Sequence, residues 1–222
     1  MLNLTYTWEK RKLENLIIKG GSGGTPKSTI AEYYEGNIPF LGITDISNSN
    51  GFIDDTNKHI SERGLNNSAA WVVPKGAISL AMYASVGKLA ILNTDLATSQ
   101  AFYNMVFDNN DLRDYVYQRL KKSFDFGEWE RLISTGTQSN LNSKKVKSFE
   151  IRVPINNNEI VKVSSFFKKL DNLITVNQRK GEKLQELKKA LLQKMFVSEN
   201  NDIPKVRFSG HTDIWEKRQR DS

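Results

Sequence analysis

Residues 159–196 read EIVKVSSFFKKLDNLITVNQRKGEKLQELKKALLQKMF, with no proline and a single glycine, Gly181. Ile160, Val163, Phe167, Leu170 and Ile174 recur at steps of three and four. That spacing places them on one face of an α-helix. The register continues through Asn177 and Gly181 to Leu184, Lys188, Leu191 and Met195, a heptad seam interrupted by polar or small residues. At about 1.5 Å per residue the helix is ~55 Å long. Leu173, Leu187 and Leu192 widen its apolar stripe. A small domain cannot cover so long a stripe, so part of it is expected to meet a partner helix, through Val163, Phe167, Leu170, Ile174, Asn177, Leu184 and Leu191. Asn177 at a seam position fits a register-fixing role or a solvated flank equally well. Residues 198–203 are a polar linker ended by Pro204.

Upstream of this helix the pattern is different. Leu16-Ile17-Ile18 reads as a strand and Lys19 to Pro26 as a glycine-rich turn. Residues 1–15 form an opening segment with a short amphipathic piece. Ile38 to Ile43 is a strand bounded by Asn37 and Asp45. Trp71-Val72-Val73 runs into the turn Pro74-Lys75-Gly76. Ala77–Met82 and Lys88–Leu92 flank the small-residue loop Tyr83-Ala84-Ser85-Val86-Gly87, as two strands joined by a hairpin-like turn. Phe102–Phe107 and Ser148–Pro154 complete the strands, and Leu112, Val116 and Leu120 share a helical face. The expected fold is α+β: a domain of mixed strands and few helices over residues 1–155, a spacer helix over 156–198, and a further segment over 199–222.

The bulk numbers narrow the function. The chain has 222 residues, no cysteine, two histidines and a net charge of +7. Disulfides and thiolate metal sites are excluded, and His59 and His211, far apart, do not make a zinc site. No apolar run has membrane-spanning length and no signal peptide is recognisable, so a cytoplasmic protein with no membrane role is expected. The basic balance points to a polyanion, nucleic acid first.

Two stretches imitate catalytic motifs. Gly21 to Ser28, GSGGTPKS, resembles a phosphate-binding loop, but Pro26 stands where a glycine is needed and removes an amide donor. Asn37-Ile38-Pro39-Phe40 is similar to the Asn-Pro-Pro-Phe motif of adenine aminomethyltransferases, but has isoleucine at its second position and no recognisable loop for the methyl donor. No Ser/His/Asp set and no carboxylate pair has catalytic spacing. No catalytic residue and no metal ligand is assigned.

Trp8-Glu9-Lys10-Arg11 returns as Trp215-Glu216-Lys217-Arg218. An echo of this kind reads as one unit ending and a second beginning.

Several pieces then fall into a familiar order. They are Gly24-Thr25-Pro26, Gly36 to Phe40 with Asp45-Ile46, Val73 to Gly76, Gly87-Lys88, Thr98-Ser99-Gln100-Ala101, Gly136 to Asn142, Phe149 to Pro154, and the long helix. In order and spacing the chain resembles the specificity subunit of type I restriction–modification systems over nearly its whole length. It departs at Ser99, where asparagine is usual, and at Asn156 to Ile160, which lacks the usual proline-rich segment. Family members usually carry two recognition domains and two such helices, so a natural half-subunit, a truncated product and an excised piece all fit.

The resemblance implies a chain that does no chemistry itself. It implies one target-recognition domain reading half of a split site in double-stranded DNA. The helix then spaces the half-sites and docks methyltransferase subunits, which use S-adenosylmethionine; this chain binds no cofactor. The resemblance leaves a restriction subunit open as a further partner. Two copies pairing their helices antiparallel make a homodimer, whose target is an interrupted palindrome. Candidate DNA contacts come from loops rich in donors beside small residues: Thr25, Lys27 and Ser28; Tyr83, Ser85 and Lys88; Gln138, Ser139 and Asn140. Lys121, Lys122, Lys144, Lys145 and Lys147 are candidates for phosphate. Thr98 to Gln100 reads as structural. The competing reading is a coiled-coil regulatory protein that occupies the methyltransferase without targeting DNA; a stand-alone enzyme ranks last.

Overall fold

The computed structural model describes residues 8–133, 140–197 and 203–215. The chain divides into two units, Met1–Lys168 and Lys169–Ser222.

The first unit is built on a five-stranded sheet. β2 (Lys19–Ser22), β4 (Phe52–Ile53), β7 (Ile78–Ala81), β8 (Leu89–Leu92) and β10 (Phe102–Val106) lie in the order β2-β10-β7-β8-β4. A four-stranded sheet has the order β5-β3-β9-β6, from β3 (Ile38–Leu41), β5 (Lys58–Ile60), β6 (Val72–Val73) and β9 (Leu96–Thr98). β1 (Trp8–Lys12) pairs antiparallel with β11 (Glu150–Pro154), Trp8 opposite Pro154. The helices are α1 (Ile43–Asn48), α2 (Glu62–Asn66), α3 (Asn110–Asp125), α4 (Ser143–Lys147) and α5 (Asn157–Met195).

Both faces of the central sheet are buried, and its strands alternate between two cores as pleating requires. Ile78, Leu80, Leu89, Ile91, Tyr103 and Met105 point into one core, where they meet Val116 and Leu120 of α3 and Trp129. Ala81, Ala90, Leu92 and Phe102 point into the other, with Leu41, Ile46, Val73 and Leu96. This is why β7 and β8 read as continuous apolar runs. α3 starts where Asn109 Oδ1 accepts from the amides of Asp111 (2.7 Å) and Leu112 (3.1 Å).

Three local expectations change. The segment read as a strand at Leu16–Ile18 begins as a 3-10 turn over Leu13–Leu16, with both leucines in the core. The strand starts at Lys19, inside the glycine run taken for a turn. Gly20 lies opposite Met105, and a Cβ on it would press on Ile17 and the Tyr103 ring. Glycine is there because the strand packs too closely for a side chain. The opening segment is likewise a strand: Trp8 Nε1 donates to Glu159 Oε1 at 3.2 Å and the indole meets Tyr115 edge-on at 6.3 Å. The Tyr115 hydroxyl donates to Arg152 O at 2.8 Å, and burial pushes its pKa up to about 12, against the pull of Arg119 and with a smaller push from Glu159.

In α5 only Ile160 and Ser164 are buried. Leu170, Leu173, Ile174, Leu184 and Leu191 are exposed, Leu184 at 65%. The Asn177 amide donates to Leu173 O at 2.9 Å, within its own helix. Among the described residues no helix is long and apolar enough to cross a membrane.

Past the end of α3, Glu128 Oε2 accepts from Arg119 Nη1 at 2.9 Å and Ser123 Oγ at 3.0 Å. Burial raises its pKa, but the Ser123 and Arg119 bonds outweigh it and the net shift is downward. A depressed folded pKa means the stabilisation is complete above the unfolded pKa and is lost as pH falls through the folded one. Glu128→Gln is therefore expected to cost about 1 kcal/mol in urea unfolding at pH 7, with the gap to wild type closing at pH 3.

Candidate nucleic-acid interface

The candidate loops lie far apart in sequence, yet the backbone of Met82 draws them together. Its N–H donates to Ala101 O at 2.7 Å, and its carbonyl accepts from Leu141 N at 3.0 Å. The first bond holds the turn Thr98–Ala101 against the end of β7, and the second brings in the segment that carries Asn140. The glycine-rich turn joins through Gly24 N on Thr98 O (3.0 Å) and Thr25 Oγ1 on Gln100 Oε1 (2.6 Å). Residues Thr25, Gln100, Tyr83 to Lys88 and Asn140 thus form one rim. Beneath it, Ser79 Oγ donates to Asn104 Oδ1 (2.5 Å), and Asn104 Nδ2 donates to Thr98 Oγ1 (2.8 Å) and Gly21 O (3.2 Å). Ser79, Asn104 and Thr98 are fully buried, so the network fixes the turn rigidly.

The candidates divide by what their side chains already do. Thr25 is held by Gln100. Lys88 Nζ donates to Ser47 O (2.5 Å), and Ser85 Oγ lies 3.1 Å from Ser47 Oγ. Lys145 Nζ donates to Leu132 O at 2.5 Å, and Asn140 is also engaged. Lys121 pairs with Asp125 (2.9 Å) and Lys122 with Glu128 (3.6 Å). By contrast Lys27, Ser28, Lys144 and Lys147 are exposed, as is Tyr83, and none of them has a side-chain hydrogen bond or ion pair with a described residue. Gln138 and Ser139 lie outside the described residues.

Thr25 and Ser28 also line an open hollow of about 830 Å³ with Tyr34, Asn37, Phe40, Asn57 and His59. Asn37 to Phe40 leads into β3, an inner strand paired with both β5 and β9, with Asn37 and Phe40 on that hollow. The Asp45-Ile46 pair is structural: Asp45 Oδ2 accepts from Gly42 N at 2.9 Å and Ile46 is core. Sequence reading missed Ser47. Ser47 meets its partners across 38 and 41 residues, and no local pattern marks such a contact.

The second unit has an apolar surface of its own. Val206 N donates to Lys194 O at 3.0 Å, and Trp215 packs edge-on against Phe196 at 5.9 Å. A hollow of about 530 Å³ lies among Leu184, Leu187, Leu191, Leu192, Phe208 and Trp215. Residues 216–218 of the repeated Trp-Glu-Lys-Arg lie outside the described residues.

A mixed-sheet domain that presents polar loops on a rigid rim, followed by a long helix with an uncovered apolar face, defines a recognition module. Residues 6–186 match the type I restriction modification DNA specificity domain, and the chain belongs to that family. It is 28% identical over 192 residues to the type I restriction enzyme MjaIX specificity subunit of Methanocaldococcus jannaschii, covering 86% of this chain and 44% of that protein. It is 29% identical over 201 residues to the HindI specificity subunit of Haemophilus influenzae, covering 86% and 41%. The chain thus spans less than half the length of these relatives. Its fold is similar to the type I restriction–modification S subunit from M. genitalium (TM-score 0.61, 17% identity, 88% of this chain and 47% of that one). It is also similar to the HsdS subunit from Thermoanaerobacter tengcongensis (TM-score 0.55, 16% identity, 85% and 44%).

Gly87 closes the Tyr83–Gly87 loop at φ +84°, and a Cβ there would overlap the buried Trp129 indole. Gly87→Ala combines a left-handed backbone with a clash, so a loss of about 2 kcal/mol or more in chemical denaturation is expected, together with a change in tryptophan fluorescence.

Proposed function

We propose that this chain is the non-catalytic DNA-specificity component of a type I restriction–modification assembly, working in the cytoplasm. In this reading residues 1–155 recognise one half of a bipartite duplex site, 156–198 form the spacer and docking helix, and 199–222 open a second unit. The methyltransferase docked on the helix carries S-adenosylmethionine and does the chemistry, and a restriction subunit completes the nuclease. The observation that carries the reading is the family match over residues 6–186, which spans both the loop rim and most of the helix.

The rim supports base reading by its form. Polar side chains stand on loops held by a rigid scaffold, the arrangement suited to binding sites. Tyr83 and Ser28 are free to meet base edges or sugars, and Lys27, Lys144 and Lys147 are free to meet phosphate. The regulatory alternative has less support: residues 8–133 carry a sheet packed on both faces, for which a helix-only binding protein has no use.

Selection of binding sites from a random duplex pool by the full chain tests this function. A recurrent sequence is expected, and an unselective pool at every salt concentration would count against it. Lys144→Ala is expected to weaken binding to all sequences alike and to reduce the salt slope by about 0.9, read from log–log salt titrations.

Pairing through α5 follows from the same reading. Light scattering is expected to give twice the 25.3 kDa chain mass. Leu184→Glu, which puts a charge on the exposed stripe, is expected to return the monomer without altering near-UV dichroism of the domain. A wild-type monomer would remove the basis for a palindromic target.

A further inference from the structure

Lys88 is a basic residue of the rim whose charge does not face outward. Its ammonium sits on the carbonyl of Ser47 at 2.5 Å. Ser47 lies in the last turn of α1, where helix carbonyls lack a partner along the chain and a cation is favoured. The same residue is tied a second time, Ser47 Oγ to Ser85 Oγ at 3.1 Å.

What these bonds join is informative. Ala84 and Ser85 are consecutive non-glycine residues at φ +35° and +53°. Left-handed backbone at such residues costs on the order of 1–3 kcal/mol each and persists only where surrounding bonds hold it. Gly87 N on Ala81 O (2.8 Å) and Lys88 N on Ser85 O (3.0 Å) hold it from within the hairpin. The Ser47 ties hold it from outside. α1, at six residues, is too short to persist by helix propensity alone. Its first turn is fixed by Asp45 accepting from Gly42 N, and its last turn by Lys88. On the outer surface this leaves Thr44 and Asn48 of α1 and Tyr83 of the loop exposed and without side-chain partners among the described residues.

We propose that Lys88 is a positioning residue for DNA specificity: it fastens α1 to the Tyr83–Gly87 loop, so that Thr44, Asn48 and Tyr83 form one base-reading edge. The inference rests on the DNA-reading function proposed above. It replaces direct DNA contact by Lys88 with action through Ser47. It also adds Thr44 and Asn48, which no sequence motif marks, to the residues that read bases. Asn48 supplies an amide suited to an adenine edge, and Thr44 and Tyr83 supply hydroxyls and apolar surface.

The test compares wild type, Lys88→Met, Lys88→Arg and Ser85→Ala in duplex selection and salt titration, with thermal melting of each. For Lys88→Met the expected result is an unchanged salt slope and a discrimination about tenfold weaker at a subset of base pairs, the rest of the site still selected. Lys88→Arg, which can still donate to Ser47 O, should restore discrimination. Ser85→Ala, which cuts one tie and keeps the ammonium, should relax the same base pairs more mildly and keeps the test open if Lys88→Met does not fold. A salt slope reduced by about one with the selected sequence intact would make Lys88 a phosphate contact and overturn the proposal. A lower melting point with slope and sequence unchanged would overturn it as well, leaving a purely structural lysine. Absence of any selected sequence with wild type would instead remove the DNA-reading function itself.

Discussion

The described fold turns on one buried amide. Asn104 lies in the central sheet and accepts from Ser79 of the neighbouring strand, while its own N–H groups reach Gly21 on the other side and Thr98 in the second sheet. A single side chain therefore ties three strands of one sheet to a strand of the other. An apolar residue of similar size would fill the space as well and could be equally stable, because buried polar groups gain little over packing. What it could not do is set the register between the sheets. The turn after Thr98 inherits its position from that bond, and Met82, Gly24 and Thr25 take theirs from the turn.

The polar side chains of the rim divide by what they hold. Thr25, Gln100, Ser85 and Lys88 are occupied with holding loops to one another. Lys27, Ser28, Tyr83 and Lys144 are unengaged among the described residues. A basic chain does not offer all its cations to a polyanion. Some of its lysines face carbonyls or carboxylates of the domain, and only the remainder is available for phosphate. Net charge thus overstates the electrostatic footprint, and the salt slope measures the part that is free.

The sequence was most legible where one physical rule acted alone. α5 follows from a heptad pattern unbroken by proline, and β7, β8 and β10 from short apolar runs bounded by turn residues. α3 follows from Leu112, Val116 and Leu120 on one helical face. Reading failed where a tertiary contact outweighed local preference. Gly20 looks like part of a turn until Tyr103 and Ile17 are seen to exclude any side chain there. Trp8 to Lys12 looks amphipathic, but is a strand because β11, some 140 residues later, pairs with it. At the rim, residue types were a fair guide to which loops meet and a poor guide to the duty of each side chain. Lys88 is spent on a carbonyl 41 residues away, which neither charge nor spacing announces.

The helix poses the remaining physical problem. Isolated helices in water are marginal, and most helical stability in proteins comes from burying an apolar face. In α5, among the described residues, only Ile160 and Ser164 are buried, while Phe166, Leu173 and Leu187 are each more than half exposed. These residues do not fall on a single narrow seam: with Phe167, Leu170 and Ile174 they cover about half the circumference at 100° per residue. A two-stranded coiled coil needs only the a and d positions of such a face. The width of the stripe therefore favours more than one apolar neighbour, which is what the proposed pairing and docking roles would require. On this argument the helix is the part of the chain that would gain most from having its apolar face covered, and the loop rim, set by Asn104, the part that would gain least.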